Sequence, residues 1–306
     1  MRSSLLIISP ECDVRSSSRL ALGTVQFGLR YGVANQSGQV GRDEMASILD
    51  HALSAGVDSL DTAVAYGESE RRLGEIGVDR WQVISKLPPM PEDLADVDAW
   101  VQEMTRGSLQ RLKVPRLRGL LLHKPQQLLG PKGMALYRAL VSLKDQGKVQ
   151  KIGVSIYDPE ELDALCPRFR FDLVQAPFNI LDRRLATSGW LARLHDAGTE
   201  IHVRSAFLQG LLLMGPETRP AAFGRWQALW DRWHRWLDER SVTPLQACLG
   251  FALSIPEISR VVVGIDNLGQ LQDILAGAET PHNEMPPQTL SSSDSDLINP
   301  SRWQKS

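Results

Sequence analysis

Residues 57–67 read Val-Asp-Ser-Leu-Asp-Thr-Ala-Val-Ala-Tyr-Gly, and this stretch decides the fold of the chain. The apolar residues up to Leu60 predict a short strand that runs into Asp61, followed by a loop that carries Tyr66. Residues 68–77 then predict a helix. A strand that ends in a polar side chain and continues through a loop into a helix is the repeating unit of α/β proteins.

Two further predicted strands also end in polar residues. Residues 81–85 run into Lys86, and residues 117–122 run into His123. In a parallel barrel the carboxyl ends of the strands form the face where catalytic residues lie. We therefore expect Asp61, Tyr66, Lys86 and His123 to lie together at one end of a barrel.

Strand and helix signals alternate along most of the sequence. The predicted strands span 20–23, 57–60, 81–85, 117–122, 149–154, 173–175, 201–203 and 260–263. The predicted helices span 42–55, 68–77, 94–112, 133–146, 159–165, 185–197, 226–239, 244–253 and 268–276. Eight strands with intervening helices predict a single-domain (β/α)8 TIM barrel. A doubly wound open sheet is the alternative, but residues 23–28 lack its glycine spacing and are expected to run into a loop rather than a helix.

The two ends of the chain lie outside the predicted barrel. We interpret residues 1–17 as an N-terminal extension and residues 18–279 as the barrel. Residues 280–306 are rich in Pro and Ser, which predicts a mobile or loosely packed tail.

The overall composition indicates which binding partners and which cellular compartment to expect. A net charge of -2 gives no reason to expect binding to nucleic acid or to an anionic membrane surface. The three cysteines are far apart and match no zinc or redox spacing, so we expect no metal site and a reducing, cytoplasmic environment. No segment has the length of a membrane span, and residues 5–8 are too short for a signal-peptide core. The oligomeric state is left open.

The four polar residues at the strand ends suit one kind of chemistry. A tyrosine is a poor acid at neutral pH because its free pKa is about 10, but a nearby lysine favours the phenolate and lowers that pKa. An aspartate beside the lysine keeps the ammonium group charged, and a histidine can hydrogen-bond a substrate oxygen. Such a set can protonate an oxygen as a carbonyl becomes an alcohol. It contains no nucleophile, so the hydride must come from a cofactor.

Each of the four residues also has an ordinary structural interpretation when taken alone. Asp61 would then start a helix, Tyr66 would pack on the barrel rim, Lys86 would be solvated, and His123 would be a hydrogen-bonded core residue. The occurrence of all four at one face favours the catalytic interpretation.

The sequence resembles the aldo-keto reductase superfamily in several separate motifs. They are residues 61–70 (Asp-Thr-Ala-Val-Ala-Tyr-Gly-Glu-Ser-Glu), Ser85-Lys86, residues 122–125 (Leu-His-Lys-Pro) and residues 152–155 (Ile-Gly-Val-Ser). The resemblance extends from about Leu20 to Gly277. It implies a (β/α)8 barrel and an NADPH cofactor. It also implies that Tyr66 is the proton donor, that Lys86 and Asp61 tune it, and that His123 orients a small-molecule carbonyl substrate.

The resemblance also implies a set of cofactor-binding positions. Besides Asp61 they are Gly23, Thr24, Ser155, Gln175, Arg204, Ser205, Ala206, Leu208, Gly210, Gly264, Asn267, Gln270 and Asp273. Two positions depart from the family pattern, because Ile156 replaces an asparagine and Arg204 replaces an aromatic residue that stacks on nicotinamide. A guanidinium can also stack flat on a ring, but its charge would favour the reduced, uncharged cofactor.

The choice between NADP and NAD depends on the segment after the eighth strand. Many family members place Lys or Arg there to bind the 2′-phosphate, whereas this chain has Asp266. An acid at this point can bind a ribose hydroxyl instead. Family habit favours NADP, and NAD remains the alternative.

Three functions are consistent with these features. The first is an NAD(P)H-dependent reductase of an aldehyde or ketone, with a sugar or sugar derivative as one candidate substrate. The second is a cofactor-binding sensor or regulatory subunit, similar to the potassium-channel β subunits. The third is an NAD-dependent sugar or alcohol dehydrogenase. The intact catalytic set favours an enzyme.

Overall fold

Eight parallel strands close into a barrel in the computed structural model, which describes residues 16–35, 37–280, 282 and 284–303. The strands are β1 Leu20–Gly23, β2 Ser59–Asp61, β3 Gln82–Leu87, β4 Leu117–Leu122, β5 Val149–Ser155, β6 Leu173–Pro177, β7 Glu200–Arg204 and β8 Arg260–Gly264. Neighbours in sequence pair with each other, and β1 pairs with β8. The predicted (β/α)8 barrel is therefore confirmed.

The helices lie between the strands and after β8. They are α1 Val25–Gly28, α2 Arg42–Ser54, α3 Ser69–Ile76, α4 Val97–Leu112, α5 Gly133–Asp145, α6 Glu161–Leu165, α7 Arg184–Thr187, α8 Trp190–Asp196, α9 Gln227–Arg240, α10 Pro244–Leu253, α11 Leu268–Glu279 and α12 Ser295–Ile298. Short 3₁₀ helices span Ser16–Arg19, Pro125–Leu129, Leu211–Leu213, Ala221–Trp226, Gln288–Leu290 and Pro300–Arg302. No helix in this described part of the chain is both long and apolar enough to span a membrane.

Two details of the predicted elements are wrong. Residues after β1 form the single-turn helix α1, where a loop was expected. The predicted helix 185–197 is two helices, α7 and α8, because Gly189 adopts a left-handed φ of 80° that cannot continue a right-handed helix.

Helix α9 carries a row of tryptophans whose role the structure settles. Trp230, Trp233 and Trp236 are buried in the core. The indole N–H of Trp230 donates to the carbonyl oxygen of Phe223, and that of Trp233 donates to Leu212. A tryptophan that is buried and hydrogen-bonded in this way serves packing.

The described part of the predicted mobile tail is packed against the barrel. Leu290, Leu297 and Ile298 are buried in the hydrophobic core. The buried Arg183 guanidinium donates to the carbonyl oxygens of Pro286 and Pro287. The expectation of loose packing is wrong for these residues, because apolar side chains within the Pro/Ser-rich stretch bury enough surface to order it. Residues 1–15 lie outside the described residues.

The amino-terminal end of the barrel is closed by charged side chains around Glu200. Its carboxylate accepts hydrogen bonds from Arg118, Lys151 and His202. A depression of about 410 Å³ lies over this network. Because these side chains bond one another at the amino ends of the strands, we attribute this end of the barrel to structure, and we expect the catalytic face at the opposite end.

A buried carboxylate, Glu70, ties the loop that carries Tyr66 to the neighbouring strand and helix. It accepts two hydrogen bonds from Arg111 on α4, at 2.9 and 2.7 Å, and one from Ser85 on β3 at 2.6 Å. The residue is 2% exposed. Four donors, including Ser108, therefore converge on one acidic group at the start of α3.

We predict that Glu70→Gln lowers the free energy of unfolding by roughly 1–3 kcal/mol, the cost of leaving buried donors without an acceptor. The amide places its own N–H groups against Arg111. Urea unfolding measures the change. The control is Glu68→Gln, which removes an exposed surface ion pair with Arg71 and should cost roughly 0–1 kcal/mol. Equal losses in the two variants would contradict a stabilising role for Glu70.

Candidate active site

A buried ion pair lies at the carboxyl ends of β2 and β3. The Lys86 ammonium donates to Asp61 Oδ2 at 2.6 Å and to the carbonyl oxygen of Thr62 at 3.0 Å. It also lies 3.4 Å from the Tyr66 hydroxyl. Lys86 is 1% exposed and Asp61 is 4% exposed. Burial lowers the pKa of Lys86, and the Asp61 carboxylate opposes that shift.

Tyr66 is positioned by backbone contacts that only small residues allow. A Cβ on Gly28 would lie 1.7 Å from the Tyr66 carbonyl oxygen, so the two segments could not approach with any larger residue there. Gly67, which follows Tyr66, has a left-handed φ of 54°. The buried Ser69 hydroxyl donates to the carbonyl oxygen of Thr24 at 2.9 Å and fixes the loop against β1.

The phenol of Tyr66 holds its proton more strongly than the sequence suggested. Burial raises its pKa, the Asp61 carboxylate raises it further, and the charge of Arg204 opposes them. The expectation that the pKa is lowered is therefore wrong, because desolvation and the Asp61 carboxylate outweigh the charge of Arg204. A protonated phenol is the form that a proton donor requires.

His123 lies beside Tyr66. The two ring centroids are 6.0 Å apart, with an angle of 78° between the ring planes. Within the described residues its imidazole has no hydrogen-bond partner, so a substrate oxygen can take that place. Burial and the charge of Lys86 lower its pKa to about 4, and it is neutral at physiological pH.

A chain of hydrogen bonds leads from the ion pair toward β5. The Gln175 amide donates to Asp61 Oδ1 at 2.6 Å, and the Ser155 hydroxyl donates to the Gln175 side-chain oxygen at 3.0 Å. Ser155 and Gln175, both predicted to bind the cofactor, are thus linked to the Lys86–Asp61 ion pair. They offer an amide and a hydroxyl, which suit the carboxamide of a nicotinamide ring.

The loop after β7 contains several predicted cofactor positions, and part of its backbone is in the left-handed conformation. Ser205, Leu208 and Gln209 have left-handed φ values of 63°, 48° and 53°, followed by Gly210 at 88°. Left-handed non-glycine residues cost energy and cluster at functional sites. Ala206 and Leu208 are buried in the core, as is Thr24 beneath the Tyr66 loop, so these three can offer a cofactor only main-chain groups or none.

Close approaches join the loops that follow β1, β7 and β8. Gly210 meets Ala34, since a Cβ on the glycine would lie 2.4 Å from the alanine Cβ. A Cβ on Gly264 would lie 2.5 Å from the Gln26 amide. The side-chain oxygen of Gln26 is buried without a hydrogen-bond partner among the described residues. An unpaired buried acceptor fits a ribose hydroxyl, so the residues present fit a nicotinamide dinucleotide.

Acidic side chains stand at the start of α11, the segment that the family resemblance indicates for a 2′-phosphate. Asp266 Oδ1 accepts from the Asn35 amide at 2.8 Å, and Glu44 accepts from the backbone N–H of Leu268 at 2.6 Å. Asn267 caps the helix by accepting from the backbone N–H of Gln270. Asp273 is exposed one turn further along the helix.

Two tyrosines at this face were not predicted. The Arg204 guanidinium lies over the Tyr157 ring, 4.4 Å from its centroid. The Tyr31 hydroxyl accepts from Gln209 at 3.0 Å. Three of the four tyrosines of the chain therefore lie at one end of the barrel. Tyr157 could have been found from its place just beyond a strand end, whereas the long loop that carries Tyr31 gives no such signal.

We predict that stability depends on pH through His123. The unfolded chain binds this proton at about pH 6.5, and folded His123 binds it only near pH 4. The contribution of His123 to the free energy of unfolding should be fully present above about pH 6.5. It should fall by an amount on the order of 3 kcal/mol as the pH decreases to 4. His123→Gln should lose that part of the slope in urea unfolding. The control His195→Gln removes an exposed imidazole on α8, and an identical change there would contradict the assignment.

Comparisons with known proteins agree with this geometry. A sequence model described as the Aldo/keto reductase family matches residues 19–292. An aldo-keto reductase of Mycobacterium sp. (strain JLS) is 32% identical over 209 residues, which cover 63% of this chain and 72% of that protein. A D-threo-aldose 1-dehydrogenase of Pseudomonas sp. is 28% identical over 296 residues, which cover 82% and 89% of the two chains.

The fold of this chain is similar to those of solved structures. An aldo-keto reductase from Bacillus halodurans, in its holo form, superimposes with a TM-score of 0.68 at 18% identity, covering 89% of this chain and 95% of that chain. A glycerol dehydrogenase from Gluconobacter oxydans gives a TM-score of 0.64 at 20% identity, covering 87% of each chain. With the family model matched over nearly the whole barrel, the chain belongs to the aldo/keto reductase family and is a nicotinamide-dependent oxidoreductase.

Proposed function

We propose that the protein reduces an aldehyde or ketone to an alcohol, with Tyr66 as the proton donor and a sugar or sugar derivative as the substrate class. The observation that carries this proposal is the position of the Lys86 ammonium, which lies 2.6 Å from Asp61 and 3.4 Å from the Tyr66 hydroxyl. Two relatives act on sugars by name, the D-threo-aldose 1-dehydrogenase and a 6-dehydroglucose reductase of Novosphingobium aromaticivorans that is 32% identical over 140 residues, covering 40% of this chain and 44% of that protein.

Each residue has a distinct task in this reaction. A nicotinamide cofactor, when bound, would supply the hydride. Tyr66 gives its proton to the carbonyl oxygen as negative charge develops there, and the Lys86 ammonium stabilises the phenolate that is left. Asp61 keeps the ammonium in place. The neutral His123 imidazole donates a hydrogen bond that orients the carbonyl.

Reduction needs the protonated phenol of Tyr66, which is the form present at neutral pH. Burial raises the pKa of the phenol and makes it a weaker acid, so the Lys86 ammonium at 3.4 Å has to stabilise the phenolate as the proton leaves. Oxidation of an alcohol would require the same phenol to lose its proton first. The name of the Pseudomonas relative is the observation that favours the dehydrogenase alternative.

The cofactor preference is a separate proposal. Family habit favours NADP, but the acids at the start of α11 favour NAD, because Asp266 and Glu44 would repel a 2′-phosphate. We propose that the protein binds NAD(H) at least as well as NADP(H).

We predict that Tyr66→Phe lowers kcat roughly 100- to 10,000-fold, the contribution of a positioned acid, with the fold and the cofactor affinity retained. Lys86→Met should cost a similar amount because the phenolate loses its cation. The double variant should lose little more than either single variant, since both act on one proton transfer. Single-turnover oxidation of the nicotinamide measures the chemical step. Normal turnover by Tyr66→Phe would show that another group protonates the substrate.

We predict that Asp266→Arg strengthens binding of NADP(H) relative to NAD(H) by about ten- to a hundredfold, the effect of one new charge-assisted contact. Fluorescence titration with both cofactors measures the ratio. Glu279→Arg makes the same change of charge at the other end of α11 and should leave the ratio unchanged. An unchanged ratio in Asp266→Arg would place this residue outside the cofactor site.

A further inference from the structure

The carboxyl face of the barrel carries a guanidinium without a carboxylate partner. Arg204, at the end of β7, donates to the carbonyl oxygen of Ile156 at 3.0 Å and to the Ser205 hydroxyl at 3.3 Å. No acidic side chain among the described residues lies within ion-pair distance of it. Asp158, which follows Tyr157 in the chain, pairs with Arg184 at 2.6 Å.

The orientation of this guanidinium is set by Tyr157. The Arg204 guanidinium carbon lies 4.4 Å from the centroid of the ring, and the bond to Ile156 holds one of its nitrogens. A guanidinium has five N–H groups, and the two described hydrogen bonds use only two of them. The others remain available, in a planar arrangement that matches the two oxygens of a carboxylate.

The charges around the reacting groups do not balance. Lys86 is matched by Asp61, and His123 is neutral. Arg204 is close enough to lower the pKa values of both Tyr66 and His123, so its charge acts on the same site. Two cations and one carboxylate leave one positive charge in excess. A buried or half-buried cation without a partner is unfavourable, and an anionic ligand would remove that cost.

We propose that Arg204 binds a carboxylate of the substrate, and that the substrate class is a carbonyl compound that also carries an acidic group, such as a sugar acid. This inference rests on the proposed function, because it describes the substrate of the same site. Arg204 is a specificity-determining residue, and the carboxylate is recognised at a distance from the carbon that accepts the hydride.

The test compares substrates that differ only in the acidic group. D-glucuronate and D-glucose share the carbonyl at C1 and differ at C6, where one has a carboxylate and the other a hydroxymethyl group. The pair 4-oxobutanoate and butanal repeats the comparison with open-chain aldehydes. We expect kcat/KM to favour the acid ten- to a hundredfold in the wild-type protein, the effect of a charged hydrogen bond.

Three variants separate the role of the guanidinium from general effects. Arg204→Met should bring the ratio of acid to neutral substrate close to one, and Arg204→Lys should retain part of it because the charge remains without the planar fork. The ratio is taken within one enzyme and one cofactor, so any effect of Arg204 on cofactor binding cancels. The matched control is Arg193→Met, which removes a guanidinium that lies over Trp190 on α8, outside the site.

The outcomes distinguish this inference from the proposed function. Turnover of both compounds without preference for the acid, or a preference that survives in Arg204→Met, overturns the role of Arg204 and leaves carbonyl reduction intact. Failure to reduce any carbonyl compound removes the proposed function. In that case, the anion site is tested by calorimetric titration of D-glucuronate and of D-glucose into the protein with bound oxidised cofactor. Binding of D-glucuronate that Arg204→Met abolishes supports the anion site. Equal binding of D-glucuronate and D-glucose overturns it.

Discussion

The buried ion pair between Lys86 and Asp61 is the interaction on which the site depends. Two charges at 1% and 4% exposure are stable only if each satisfies the other and the surrounding polar groups complete their hydrogen bonds. The carbonyl oxygen of Thr62 and the Gln175 amide do so here. Because the two residues end adjacent strands, closure of the barrel itself brings the charges together. The same closure places the Lys86 ammonium against the Tyr66 hydroxyl.

Catalytic geometry in this protein is built on close packing of the backbone around Tyr66. The phenol stands on a loop, and loops are usually the mobile part of a fold. Here the loop is fixed by Gly28 beneath it, by Ser69 and by the buried Glu70, whose donors come from β3 and α4. A proton donor held in this way needs no large rearrangement to reach the substrate, which lowers the entropic cost of the reaction.

Burial and charge act in opposite directions at the barrel mouth, and their balance sets the chemistry. Desolvation keeps Tyr66 protonated and His123 neutral, so the site presents a proton donor and a hydrogen-bonding imidazole near neutral pH. Arg204 adds a positive charge that the protein does not neutralise within its described residues. A site with this imbalance suits reduced, uncharged nicotinamide and an acidic substrate better than it suits an oxidised cofactor with a neutral one.

The sequence by itself determined the barrel, the order of its elements and the four polar residues at the strand ends. These follow from local patterns, because the periodicity of a strand and the polar residue after it involve residues that are close together in the sequence. The tertiary structure alone decided the packing of the C-terminal segment, the break between α7 and α8, the pKa of Tyr66, and the grouping of Tyr31, Tyr157 and Arg204. Each of these depends on burial, on a backbone angle or on distances between residues far apart in the chain. Arg204 shows the difference most clearly: the sequence marks it as a departure from a family pattern, but only the structure shows that its guanidinium lies over Tyr157 and bonds the carbonyl oxygen of Ile156.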